Sequence, residues 1–166
     1  MTELNTFVLA VDPGKLSGIA LFQYQNGVPT LLHSYETDFD TYADTIRGMI
    51  YVSVQGGADR LLVACERFTI NAQTVKNSQA PYSLEQIGIL KQALKDMEKH
   101  LNRVGHYLPG LAMQAPSDAK NMFPNQALKK LGYWHVGGDG HALDAIRHGL
   151  LRLVKAGWVP RALLEG

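Results

Sequence analysis

Apolar residues follow two rhythms along this chain, and the switches between them mark out its elements. "FVLAVD" (7–12) and "RLLVACE" (60–66) are short, nearly unbroken apolar runs, as expected of strands buried on both faces. "SGIALFQY" (17–24) and "PTLLHSYE" (29–36) predict two more strands. The breaks "PGK" and "QNG" are turn chemistry, so the chain is expected to open as an antiparallel meander. The rhythm then becomes helical over 40–55, with apolar positions at Tyr42, Ile46, Met49 and Ile50 and an end at "QGGAD". A helical crossover of this kind makes 7–12 and 60–66 parallel neighbours.

Residues 69–82, "TINAQTVKNSQAPY", are polar and predict a mobile loop of the length that often carries function. A helix is expected from Ser83 to Arg103, opened by Ser83 with Gln86 as a capping box. Residues 108–114 form a weaker strand. "APSDAK" and "NQALKKLG" predict two short helices, and a last helix runs from about Gly140 to Ala156, stopped by Gly157 and Pro160. The order implies one α/β domain over 1–166: a mixed sheet, three antiparallel strands then parallel ones, flanked by helices.

With 46% apolar and 19% charged residues, the 166-residue chain has the composition of an ordinary globular domain. A net charge of +1 means that any nucleic-acid binding must come from a local basic face. The single cysteine, Cys65, excludes a disulfide framework and a cysteine zinc site and reads as a small buried hydrophobe. No signal peptide or membrane-spanning run is visible, and a cytoplasmic location is expected.

Two of the apolar strands end in acids, Asp12 and Glu66. Neighbouring parallel strands end on one edge of a sheet, so these carboxylates are expected to face each other. Left alone they repel, and a divalent cation removes the conflict. In "GHALDAIRHGLL", His141 and Asp144 lie three apart on a predicted helix and share its face. That face continues through His148, Arg152 and Lys155, opposite an apolar stripe of Leu143, Ile146, Leu150, Leu153 and Val154. By itself this is the pattern of an amphipathic helix with a wet side. Joined to the two strand-end acids, it suits two-metal phosphodiester cleavage, with Mg²⁺ or, given a histidine ligand, Mn²⁺.

A strand ending in Asp-Pro-Gly, a strand ending in Glu, and His-x-x-Asp-Ala opening a C-terminal helix, in that order, resemble the RuvC family of Holliday junction resolvases. "DPGKLSG" looks most like the shortened first turn of phage-type members, and "APSDAK" resembles the segment carrying a lysine used in DNA binding and cleavage. The resemblance implies a ribonuclease-H-like fold and nicking of branched DNA to leave a 5′-phosphate and a 3′-hydroxyl. It implies two metal ions held by Asp12, Glu66, His141 and Asp144, a DNA contact at Lys120, and a homodimer. Some members carry an aromatic residue three positions after the Glu; here that position is Thr69, with Phe68 one earlier.

Lys76, Lys129, Lys130, Arg67 and Phe68 complete the candidate DNA contacts, with Asn77 beside Lys76. Asp139 is expected to serve as a helix cap or turn residue. Ile87, Leu90, Leu94 and Met97 line one face of helix 83–103, which is either core or a dimer interface. Rival readings are a RuvC-like nuclease for flaps, splayed DNA or RNA–DNA hybrids, and a junction-binding module that does not cut. Walker, dinucleotide and serine-hydrolase patterns are absent.

Overall fold

The computed structural model describes residues 4–76, 80–103 and 110–165. Strands β1 (Thr6–Asp12), β2 (Leu16–Gln25) and β3 (Val28–Asp38) form the antiparallel meander. Asn26 and Gly27 both take positive φ between β2 and β3, the tight hairpin turn that matches strand twist. Helix α1 (Phe39–Gln55) carries the chain back to β4 (Arg60–Glu66), which pairs with β1 in parallel. Its N-terminus is capped by Asp38, whose side chain accepts from the Thr41 amide at 3.0 Å. After α2 (Ala72–Lys76) and α3 (Ala80–Arg103) comes β5 (Ala112–Gln114), parallel to β4. The sheet order is β3-β2-β1-β4-β5. Helices α4 (Pro116–Met122), α5 (Asn125–Leu131), α6 (His141–Lys155) and α7 (Arg161–Leu164) complete the chain.

Strand alternation sorts the core into two layers. Odd-numbered residues Phe7, Leu9, Val11, Val63 and Cys65 pack with Tyr42, Ile46 and Ile50 of α1 and Leu90 of α3. Even-numbered Val8, Phe22 and Leu62 pack with Ile146 and Leu150 of α6 and Phe123 and Leu128 around α4 and α5. Cys65 is buried as expected, and burial pushes its thiol pKa well up. Trp158 stacks on Phe123 and anchors the end of α6.

Several expectations need correction. The polar segment 69–82 contains α2, and α3 begins at Ala80 rather than Ser83. Ser83 therefore sits inside the helix; its hydroxyl donates to the Pro13 carbonyl, and Gln86 pairs with Ser17. Tertiary partners outcompeted the local capping box. Ile87, Leu90 and Leu94 are buried in the α1–α3 layer, with Met97 packed against it, so that face is core and not a dimer interface. The stripe on α6 is not wet throughout: Lys155 is exposed, but His148 is 1% exposed because α6 lies across the sheet. Asn77 lies outside the described residues, as does the start of the 108–114 strand.

Candidate active site

The site is one row of the sheet. Registry pairs Glu36 with Gly18, Gly18 with Asp12, and Glu66 with Gln114, while Val11 opposite Cys65 brings Asp12 and Glu66 into line. All five positions are even-numbered and face α6. Helix α6 can lie on this row because Gly18 has no side chain. A Cβ there would stand 1.8 Å from the His141 carbonyl oxygen. The first turn of α6 is capped from across the sheet: Glu36 accepts the Asp139 and His141 amides, both at 2.9 Å. Burial opposes ionisation of Glu36, but the amides of Asp139, His141 and Ala142 outweigh it and hold its pKa below the ordinary value. Asp139 thus fills the expected turn, while the capping carboxylate is Glu36.

Along α6, His141, Asp144 and His148 share the face turned to the row. His141 Nδ1 meets Asp12 Oδ2 at 2.8 Å. His148 Nε2 meets Glu66 Oε2 at 2.9 Å, and its Nδ1 meets Gln114 Oε1 at 2.8 Å. Asp144 accepts from Arg147 at 2.6 Å and from Lys120 at 3.0 Å, one cation on each oxygen. Arg147 is buried and also donates to the Phe123 carbonyl and to Asn125.

Burial raises the Asp12 pKa. The His141 hydrogen bond lowers it, and the Glu66 and Asp144 charges raise it further. The partner effect appears in His141, whose pKa is raised chiefly by its hydrogen bond to Asp12. Asp12, Glu66, His141 and Asp144 line a single cleft of about 630 Å³ with Lys15, Arg67, Phe68 and Pro116. Among the described residues, no three His, Cys, Asp or Glu side chains form a group that encloses a metal ion as they stand. At least one oxygen of each acid is already taken by His141, His148, Arg147 or Lys120. The donor chemistry nevertheless fits a hard cation: three carboxylates, two of which disfavour the charge on Asp12, plus one imidazole.

No protein-family model matches the sequence, and no curated protein matches it. Solved structures do. Thermus thermophilus RuvC in complex with a Holliday junction substrate aligns over 92% of this chain and 96% of its own, at 16% identity and TM-score 0.63. Another T. thermophilus RuvC structure aligns over 92% and 97% with the same identity and score. The yeast mitochondrial Holliday junction resolvase aligns over 90% of this chain and 78% of its own, at 11% identity and TM-score 0.53.

This chain has a RuvC-like fold.

Within that RuvC-like frame, the three acids and the histidine picked from sequence line one cleft. Arg67 and Phe68 line the same cleft, although Phe68 also packs partly into the core. Lys120 reaches Asp144 and borders an adjoining cleft. Lys129 and Lys130 stand elsewhere: Lys129 lies 5.0 Å over the Trp134 ring, and Lys130 donates to the Glu165 carbonyl. Lys76 is exposed at the end of α2. Sequence reasoning missed Glu36, Gln114, Arg147, His148 and Lys15. Glu36 carried the same signal as Asp12 and Glu66, an acid near a strand end. His148 sits seven residues, two helical turns, after His141. No helix among the described residues is long and apolar enough to cross a membrane.

Proposed function

We propose that this chain is a metal-dependent, structure-specific DNA endonuclease that nicks branched DNA, with the four-way junction as its substrate. One observation carries the reading. Asp12 and Glu66, on adjacent strand ends, and Asp144, on the crossing helix, face one cleft that also holds Lys15 and Arg67. Phosphate binding alone calls for cations, not for acids beside them. The RuvC-like fold, shared with a protein solved on a Holliday junction, supports the branched substrate.

Asp12, Glu66, Asp144 and His141 would hold two Mg²⁺ or Mn²⁺ ions. Such ions, when bound, activate a water and neutralise charge on the leaving oxygen of an in-line displacement. The protein's own groups do the rest. Lys15 and Arg67 bind the backbone on the cleft wall. The Lys120 side chain is 55% exposed, so it is the partner of Asp144 with room to turn to a phosphate, while buried Arg147 keeps that carboxylate in place. Without metal His141 Nδ1 is paired with Asp12, and that contact must open for the neutral imidazole to serve as a ligand. Paired cuts across a junction call for a two-fold homodimer.

The test is a nicking assay with a labelled four-way junction, 5′-flap, splayed duplex, linear duplex and RNA–DNA hybrid, in Mg²⁺ or Mn²⁺. Metal-dependent cutting strongest on the junction, and lost in Glu66→Gln and Asp144→Asn, is the expected result. Stronger cutting of flaps or hybrids moves the substrate within the RuvC-like class. Junction binding without cutting in either metal overturns the nuclease reading in favour of a binding module.

A further inference from the structure

Glu66 is supported from below by two side chains that no DNA can reach. His148 is 1% exposed and Gln114 is 2% exposed. They form a line from Gln114 through the imidazole to Glu66 Oε2, with contacts of 2.8 and 2.9 Å. The direction of this line follows from donor chemistry. An ionised Glu66 only accepts, so a stable 2.9 Å contact requires hydrogen on His148 Nε2. If the Gln114 oxygen faces the ring, Nδ1 must also carry hydrogen. If the Gln114 amide is turned over, its NH₂ donates to a bare Nδ1 and the imidazole is neutral. The two orientations place nitrogen and oxygen in the same positions and are assigned by the network they complete. As placed, Gln114 Nε2 has no partner among the described residues, which favours the turned amide. In both cases Nε2–H donates to Glu66.

We propose that His148 is a positioning residue for Glu66. It ties Oε2 to the floor of the site and leaves Oε1 as the oxygen presented to the cleft, restricting Glu66 to one-oxygen coordination. The inference rests on the metal-dependent reading above. A carboxylate with one oxygen held by a buried donor loses rotational freedom before a cation arrives. Groups that orient ligands in this way typically change metal affinity or activity by about 10–100-fold when removed.

The test uses His148→Leu, which keeps bulk and removes the donor, and His148→Gln, which restores an N–H near Nε2. Gln114→Met disturbs only the outer end of the line and serves if His148→Leu fails to fold, as judged by circular dichroism. Mn²⁺ affinity is measured without DNA by the spin-resonance signal of free Mn²⁺, and Mg²⁺ dependence is measured by junction nicking. The expected result is Mn²⁺ affinity at least about tenfold weaker in His148→Leu, a several-fold loss in Gln114→Met, and substantial recovery in His148→Gln. The Mg²⁺ needed for half-maximal nicking rises in parallel, while junction affinity in Ca²⁺ stays within about twofold. Because His148 acts through Glu66, adding His148→Leu to Glu66→Gln causes no further loss of Mn²⁺ affinity. Unchanged metal affinity in His148→Leu and Gln114→Met overturns the proposal, as does an additive double mutant. Mn²⁺ binding with this pattern but no nicking would sink the nuclease reading alone.

Discussion

At the scale of single residues, two positions that do no chemistry decide whether the site exists. Gly18 lets α6 touch the sheet. In Gly18→Ala the new methyl meets backbone, not a flexible side chain, so α6 must lift off the row. A loss of about 2–3 kcal/mol or more is expected in urea denaturation, together with loss of nicking. Glu36 replaces the missing side-chain cap of α6, and Glu36→Gln should cost about 1 kcal/mol at pH 7. The pH dependence has a defined sign. The folded pKa lies below the ordinary 4.5, so the charged cap stabilises fully above that value. Its contribution is lost as pH falls through the folded value. Thermal melts between pH 3 and 7 should therefore show a shallower acid limb in Glu36→Gln than in wild type.

At the scale of elements, α6 is both a packing helix and one wall of the cleft. Its consecutive residues Arg147 and His148 reach opposite ways, to Asp144 and to Glu66. The two cations on Asp144 should respond differently to removal. Arg147 is buried with three acceptors, so Arg147→Met strands the Phe123 carbonyl and leaves Asp144 with only exposed Lys120 as its cation. A stability loss of about 3 kcal/mol is expected by denaturant titration. The Lys120 side chain is 55% exposed, so Lys120→Ala should change stability by less than about 1 kcal/mol. Its effect belongs in DNA binding: weaker junction affinity, and a log–log salt slope smaller by about 0.9 for one lost phosphate contact.

For the whole molecule, the sheet separates two cores, and the candidate site lies on the α6 side. If the proposed metal site exists, the folded state should bind a divalent cation better than the unfolded chain. Mg²⁺ or Mn²⁺ at a hundred times its dissociation constant should add about 2.7 kcal/mol of stability, reversed by EDTA. The stabilisation should shrink in Asp144→Asn. Differential scanning calorimetry with and without metal checks both, and an unchanged melting temperature in wild type would falsify the metal site.

Local pattern was enough for most of the sheet and for placing Asp12 and Glu66 at neighbouring strand ends. Alternation in "FVLAVD" and "RLLVACE", the Asn-Gly turn and the helical spacing of Tyr42, Ile46, Met49 and Ile50 are local patterns, each read within a few residues. Parallel neighbours joined by a helical crossover then place Asp12 and Glu66 on one edge of the sheet. Tertiary structure alone decided their partners. Whether Ser83 caps its own helix or binds Pro13, and whether Glu36 points at water or at α6, depends on what packs there. His148 shows the difference most plainly. Its place on the helix face with His141 and Asp144 was legible, but its burial was not. A stripe of polar residues looks the same whether solvent or a row of strand-end carboxylates lies beneath it. Hydrogen bonds between residues 82 or 129 positions apart leave no periodic trace, because the chain meets itself only after the sheet has formed.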